Sequence, residues 1–338
     1  MRNTARKKRG AGTPRAAGKS AARSAQPAQA DIVVRFRGAR GSYPVSGPDV
    51  LKFGGNTSCL EVRANGHLII LDAGTGLVSL GDDLIREHDS YDADPDARVP
   101  IRAVLLLSHA HHDHTQGFPF FKPAYLGTSV FHIFGPRMFN QDFRDIMSRA
   151  MLAPLFPVDL DEMKSTRNIH NIEEYMHIAL EPGDPHPQIS DIYRDPTVEH
   201  SPSAVLIKNL RNLAHPKGGC VNYRIEANGR SLVYATDVEG FVGGDARLIS
   251  FARGTDLLIH DSQYLPEEYS GLPVPTQGYG HSTYEMACEV ARAAEVGQLA
   301  LFHHDPSHDD EALRRKEAAA RKQFASTFAA HEGMEVRL

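Results

Sequence analysis

Cysteine is scarce: Cys59, Cys220 and Cys288 are the only three in 338 residues, widely spaced and in no Cys-x-x-Cys pattern. That excludes a disulfide framework and a zinc knuckle, and it suits a reducing compartment. No apolar run reaches the ~18 residues of a membrane span. The first thirty residues lack the continuous apolar core of a secretory signal, so a cytoplasmic location and no membrane association are expected. They also lack any acidic residue, while carrying eight cations: Arg2, Arg6, Lys7, Lys8, Arg9, Arg15, Lys19 and Arg23. Their Ala, Arg, Ser and Pro content predicts a disordered basic tail over 1–30, the competing readings being a nucleic-acid-binding arm and an organelle transit peptide. Of 37 basic and 42 acidic residues in the chain, 29 and 42 remain beyond the tail, a formal charge of −13. An acidic folded part argues against a broad nucleic-acid-binding face there, though the tail could still touch nucleic acid.

What the sequence does have is a concentration of histidine behind an apolar run. Residues 105–118 read Leu-Leu-Leu-Ser-His-Ala-His-His-Asp-His-Thr-Gln-Gly-Phe, and within them lies His109-x-His111-x-Asp113-His114. Three imidazoles and a carboxylate on the end of a buried strand are metal-ligand chemistry, needing no helix. Positions i and i+2 of an extended strand end point the same way, so His109 and His111 can share one metal. Asp113 and His114, past the bend, turn toward a second.

This motif resembles the metallo-β-lactamase fold, and the remaining motifs follow in order. Asp72 in Leu71-Asp72-Ala73-Gly74-Thr75-Gly76 resembles the first, His215 the third, Asp237 in Tyr234-Ala235-Thr236-Asp237 the fourth, and His303 in Leu301-Phe302-His303 the fifth. The resemblance covers 31–338 and implies an α/β protein, a four-layer αββα sandwich. It places His109, His111 and His215 on one metal and Asp113, His114 and His303 on the other, with Asp237 between them and Asp72 as a brace. Nitrogen and oxygen ligands suit two divalent ions, zinc first, then manganese or iron. A bridging hydroxide between them would be the nucleophile. Only one of His303 and His304 should face the metals, because adjacent strand residues point to opposite sides, and alignment with the fifth motif selects His303.

Between these motifs the reading is coarser. Strands are expected at 32–36, 59–62, 67–71, 102–107, 129–134, 204–210, 221–226, 231–235, 256–260 and 299–302. Asn65-Gly66 and Asn228-Gly229 mark hairpin turns. Helices are expected at 77–87, 138–151 and 309–330, with an exposed acidic loop at 91–100. Arg40, Ser42 and Asn56, in a Gly- and Pro-rich loop, either reach a substrate anion or tie the loop to the sheet. Residues 136–202 form the longest interruption and are expected to be a lid insertion, because Met151 to Val158 resembles an apolar stretch overhanging the metals in some relatives.

The leaving group is addressed by Gly278-Tyr279-Gly280-His281-Ser282-Thr283, similar to the His-Ser-Thr motif of tRNase Z and its phosphodiesterase relatives, where the histidine donates a proton or grips phosphate. Ser282-x-x-Glu285 reads as a capping box, placing His281 at a helix N-terminus that favours an anion. His260-Asp261-Ser262 stands where those relatives have His-Glu-Ala-Thr, so Asp261 is expected to orient His281, though Asp is shorter. Residues 216–236 suffice for a hairpin but not for the substrate-gripping arm of tRNase Z. The expected activity is therefore hydrolysis of a small-molecule phosphodiester, a cyclic phosphodiester or cyclic nucleotide, with Asp113, His281 and Asp261 as catalytic residues. The alternatives are a tRNase Z-like endoribonuclease, a thioester or lactam hydrolase, and a regulatory binding module that retains the fold. A homodimer is compatible with everything above.

Overall fold

A computed structural model describes residues 32–89, 99–241 and 243–338. The basic tail, and most of the acidic loop expected at 91–100, lie outside the described residues. In chain order the strands are β1 (Ile32–Gly38), β2 (Cys59–Ala64), β3 (His67–Leu71), β4 (Arg102–Leu106), β5 (Val130–Pro136), β6 (Thr166–Ile172), β7 (Met176–Leu180) and β8 (Gln188–Asp191). They continue with β9 (Val205–Asn212), β10 (Cys220–Ala227), β11 (Arg230–Ala235), β12 (Leu257–Asp261), β13 (Gln298–Phe302), β14 (Thr327–Ala329) and β15 (Glu335–Arg337). The helices are α1 (Gly76–Asp89), α2 (His112–Thr115), α3 (Phe143–Ala150), α4 (Ala246–Ala252), α5 (Pro266–Ser270), α6 (Tyr284–Ala293) and α7 (Asp310–Gln323).

Two sheets result among the described residues, ordered β15-β1-β2-β3-β4-β5-β6 and β14-β13-β12-β11-β10-β9-β7-β8. Alternation decides which face of each strand is buried: in β1, Ile32, Val34 and Phe36 point inward. Inward residues of both sheets, among them Val62, Leu106, Tyr223, Ile225 and Phe302, form one apolar layer. A second layer joins the first sheet to α1 and α3 through Leu77, Leu80, Ile133, Phe143 and Met147. A third joins the other sheet to α4, α6 and α7 through Leu248, Val290, Leu301 and Leu313. Three apolar layers require four structural ones, and the architecture is the αββα sandwich.

Both Asn-Gly pairs close hairpins. Asn65 and Gly66 have φ of 47° and 83°, and Asn228 and Gly229 have 51° and 79°, the left-handed pair that a two-residue turn demands. The two turns meet across the sandwich, where Asn228 Nδ2 donates to Asn65 Oδ1 at 2.8 Å. Strands β3 to β6 run parallel, as do β11 to β14. In such sheets ligands bind beyond the carboxyl ends of the strands. Here those ends carry Asp72, the loop 107–114, Asp237, Asp261 and His303.

Several expectations need correcting. Within 136–202, β6 completes the first sheet and β7 and β8 extend the second, so that stretch also supplies strands to both sheets. The metal loop, expected without a helix, contains the helical turn α2. The cap of α6 is Thr283, whose side chain accepts from Met286 N, whereas Ser282 Oγ donates to Val238 O at 2.6 Å. The final helix ends at Gln323, and residues expected to continue it form β14.

Candidate metal centre

Asp72 leaves β3 with φ of 59°, and its buried carboxylate gathers four donors. Oδ1 accepts from Ser108 N at 2.7 Å. Oδ2 accepts from Ser108 Oγ at 2.8 Å, His114 Nδ1 at 2.7 Å and Tyr234 OH at 2.7 Å. The metal loop is thereby bolted to both sheets. With its Nδ1–H given to Asp72, His114 presents Nε2, the arrangement by which outer partners aim a metal-binding imidazole.

The same logic sets the other rings. His109 Nδ1 donates to Ser108 Oγ at 3.0 Å, leaving Nε2 buried without a partner. His215 Nδ1 donates to Gly280 O at 3.1 Å, leaving Nε2 3.0 Å from His111 Nδ1. Asp237 follows β11 with φ of 53° and His303 follows β13 with φ of 58°. Three strand-end residues of the centre thus hold a left-handed backbone that non-glycine residues rarely adopt, and such strain gathers at functional sites.

Two of the resulting groups share one carboxylate, and a third, Asp261, His281 and His303, shares His303 with one of them. The ligand atoms of His109, His111, His215 and Asp237 lie within 4.8 Å of one another, and so do those of Asp113, His114, Asp237 and His303. Asp237 Oδ1 is 3.7 Å from His109 Nε2 and 3.6 Å from His215 Nε2. Its Oδ2 is 3.1 Å from His114 Nε2 and 3.3 Å from His303 Nε2. One oxygen faces each group, which is the geometry of a bridging ligand. Asp113 Oδ2 stands 3.2 Å from His114 Nε2 and 3.1 Å from His303 Nε2, and accepts from Ser42 N at 2.7 Å.

Burial opposes charge at His109, His111, His215, His114, Asp113 and Asp237. It prevails at His109, His215 and His111, the last pushed down to about 4, so these rings are neutral with lone pairs free. At His114 burial is outweighed by Asp113, Asp237 and Asp72, which raise it well above the ordinary value. Burial would raise Asp113 and Asp237, but His114 and His303 hold both well below the carboxylate range. Neutral imidazoles at His109, His111 and His215 beside an ionised Asp237, with an unpartnered Nε2 on His109, fit a divalent cation at the first group, and the carboxylates that draw a proton to His114 would hold a cation in its place at the second.

Asp261 and His281 adjoin the centre. His281 Nδ1 donates to Asp261 Oδ2 at 2.7 Å, and its ring stacks on His303 with centroids 4.9 Å apart. Asp261 Oδ1 accepts from Gln263 N and Ser282 N, each at 3.0 Å, which fixes the carboxylate. Burial works against a charged His281, but Asp261 overrides it and raises the pKa to about 9.

Other candidates serve elsewhere. His304 is buried with Nε2 donating to Ala330 O at 2.9 Å, turned from the cluster that His303 enters. His308 pairs with Glu268 at 2.9 Å, and His112 is exposed. Arg40 is buried and donates to Gly54 O, Asp305 O and His308 O, while Asn56 Nδ2 donates to Glu332 at 3.0 Å. Both tie loops together, and of that trio only Ser42 reaches the centre.

Glu239 went unread in the sequence. Its carboxylate accepts from Gly278 N at 2.7 Å, Gly280 N at 2.9 Å and Tyr269 OH at 2.6 Å. It thereby holds the loop whose Gly280 carbonyl orients His215 and whose next residue is His281. Its only local signal is proximity to Asp237.

A family model described as "Beta-lactamase superfamily domain" matches residues 67–304, a span that contains all of the residues above from Asp72 to His303. The chain belongs to this family. Among curated relatives, ribonuclease Z of Pyrococcus abyssi is 26% identical over 277 residues, covering 75% of this chain and 82% of that protein. Among solved structures, YhfI of Bacillus subtilis, a metallo-beta-lactamase fold protein, superposes with a TM-score of 0.60 at 18% identity, covering 92% of this chain and all of that one (100%). A diphosphatase of the PhnP family gives 0.57 at 13% identity, covering 91% and 98%. These likenesses establish the beta-lactamase superfamily fold for the two sheets and their helices.

Proposed function

We propose that the protein is a dinuclear metal-dependent phosphodiesterase acting on a small cyclic phosphodiester or cyclic nucleotide. The observation that carries this reading is the His281–Asp261 pair, set against both ligand groups and belonging to neither of them. Metals held by His109, His111 and His215, by Asp113, His114 and His303, and by Asp237 between them would activate water and offset charge on the phosphate oxygens. The chain's own contribution beyond ligation is the proton. His281, protonated up to a pKa of about 9 through Asp261, holds a proton at neutral pH and can give it to a departing alkoxide. A carboxylate-oriented donor at that place suits a phosphodiester better than a thioester, whose leaving group departs as a stable anion.

The similarity to ribonuclease Z favours a second reading, cleavage of a tRNA. Against it, β10 and β11 with their turn occupy 216–236, the stretch in which the resemblance would place a tRNA-gripping arm.

The test uses the full chain, stripped of metal by chelation and reloaded with zinc or manganese. It is offered cyclic phosphodiesters, p-nitrophenyl diesters and a tRNA bearing a 3′ trailer. Turnover of the cyclic diesters is expected, and His281→Ala should lower it roughly 10²–10⁴-fold with both metals retained. The deficit should shrink for p-nitrophenolate, which leaves unprotonated. Cleavage of the tRNA with inert cyclic diesters would replace this reading with the second.

A further inference from the structure

The loop 261–264 that follows β12 is pinned from several directions. Ser262 N donates to Phe302 O at 2.9 Å, and Tyr264 N donates to Ser282 O at 3.1 Å. From behind, the buried Lys316 of α7 donates through Nζ to Ser262 O at 2.7 Å. A loop held this firmly can hold something else, and Gln263 is the residue with which it does so. Gln263 is 4% exposed, and its main-chain amide donates to Asp261 Oδ1. Its side-chain Nε2 lies 3.3 Å from Ser42 Oγ and 3.3 Å from Asp305 Oδ2. A side-chain amide nitrogen has a hydrogen for each of these acceptors.

Ser42 stands in a loop that needs such a hold. Its φ is 62°, a left-handed value that a serine keeps only where its surroundings enforce it. The same loop presses on the second ligand group. Ser42 N donates to Asp113 Oδ2 at 2.7 Å, and among the described residues no other donor from outside the ligand groups reaches that carboxylate. One residue earlier, a Cβ on Gly41 would lie 2.3 Å from Cε1 of His303, so the main chain rests on that ring. Gly41 N donates to His304 O at 2.9 Å and anchors the near end of the loop, while Gln263 anchors Ser42 itself. Asp113 therefore takes its aim from an amide whose place Gln263 helps to set.

We infer that Gln263 is a positioning residue for Asp113, acting through Ser42, and that it locks the second ligand group to the loop carrying the carboxylate behind His281. The inference rests on the ligand assignment, and its link to the proton donor rests on the phosphodiesterase reading. Outer partners that orient a ligand are worth roughly 10–100-fold in metal affinity.

The test titrates zinc into the full chain after chelation and follows the binding events by calorimetry. In Gln263→Leu one event should keep its affinity and the other should weaken roughly 10–100-fold, the event that Asp113→Ala loses outright. Ser42→Ala removes the acceptor but keeps the amide, and it should weaken the same event. Combining it with Gln263→Leu should weaken that event no further, because both changes cut one contact. At saturating zinc, Gln263→Leu should retain the leaving-group dependence of the parent chain, since main-chain amides hold Asp261. Unchanged affinities in the folded variants, fully additive losses at the two positions, or a flattened leaving-group dependence overturns the inference. Ser42→Ala, at an exposed position, decides the matter if the Gln263 variant fails to fold. The expected zinc pattern in a chain that hydrolyses no diester removes the phosphodiesterase reading and leaves the role toward Asp113 standing. Absence of two zinc-binding events in the parent chain removes the ligand assignment and this inference together.

Discussion

The molecule has two histidine-rich places, at opposite ends of the same strands. Beyond the carboxyl end of β4, histidines converge with Asp113, Asp237 and Asp72 into the candidate metal centre. Near its start, His132, His170 and His186 pack ring against ring, with centroids 5.8 Å and 5.6 Å from His132. His67 and His132 line a cavity of about 460 Å³ there, and His132 Nδ1, His67 Nε2 and His170 Nε2 are buried without partners. Yet among the described residues no ligand atoms converge at that end. Burial, then His170 and His186, push His132 down to about 4, whereas carboxylates lift His114. Histidine density does not make a centre. Carboxylates do, when strand ends aim them at the same point as the imidazole nitrogens.

The sharpest way to break that contrast is Asp237→Ala, which removes the carboxylate common to both groups. Metal analysis should show much reduced occupancy at both groups, and turnover should fall well beyond the roughly 100-fold that losing an outer partner costs. Full dinuclear loading with normal turnover would dissolve the distinction between the two ends. A smaller effect belongs to Glu239→Ala, which frees the Gly278–Gly280 loop and with it the acceptor for His215. Metal affinity should drop roughly 10–100-fold, with Glu239→Gln falling less because it still accepts one of the amides. Unchanged metal titrations in both variants would show that the loop holds His215 unaided.

The smallest effect is at the other end. His132→Phe should leave metal content and turnover unaltered while changing how stability responds to acid. The folded pKa of about 4 lies below the ordinary 6.5, so between those values the unfolded chain binds more protons and stability falls as pH falls. Removing the imidazole removes its share of that slope, at most about 1.4 kcal/mol per pH unit. Thermal melts from pH 7 to 4 would show a shallower decline in the variant, and identical slopes would mean that His132 is solvated.

How much of this was legible in the sequence depends on how local each signal is. The Asn-Gly turns and the His-x-His-x-Asp-His run carry their geometry within a few residues. Strand alternation said that only one of His303 and His304 faces the centre, the resemblance to the fifth motif selected His303, and the two side chains do part to opposite sides. Edge strands were hidden. In β6, Thr-Arg-Asn-Ile-His-Asn-Ile, only Ile172 is buried, and β8 has no buried residue, so neither shows apolar alternation. That is why 136–202 read as an insertion. β14 and β15, three residues each, are too short for any period to register. Glu239 acts on backbone amides some forty residues away, a pairing that only the folded loop creates.

The closing strand carries a consequence for the order in which the chain is made. β15 pairs with β1, and Arg35 meets Glu335 across 300 residues of sequence at 2.5 Å. A ribosome releases β1 early, and one side of it stays unpaired until β15 emerges. Its exposed edge is meanwhile a template for the wrong neighbour. The ligand set is equally late, since His303 leaves the tunnel long after His109. Metal held by this set would therefore reward only a chain elongated past His303, and a shorter nascent one must keep its first sheet from pairing elsewhere while it waits.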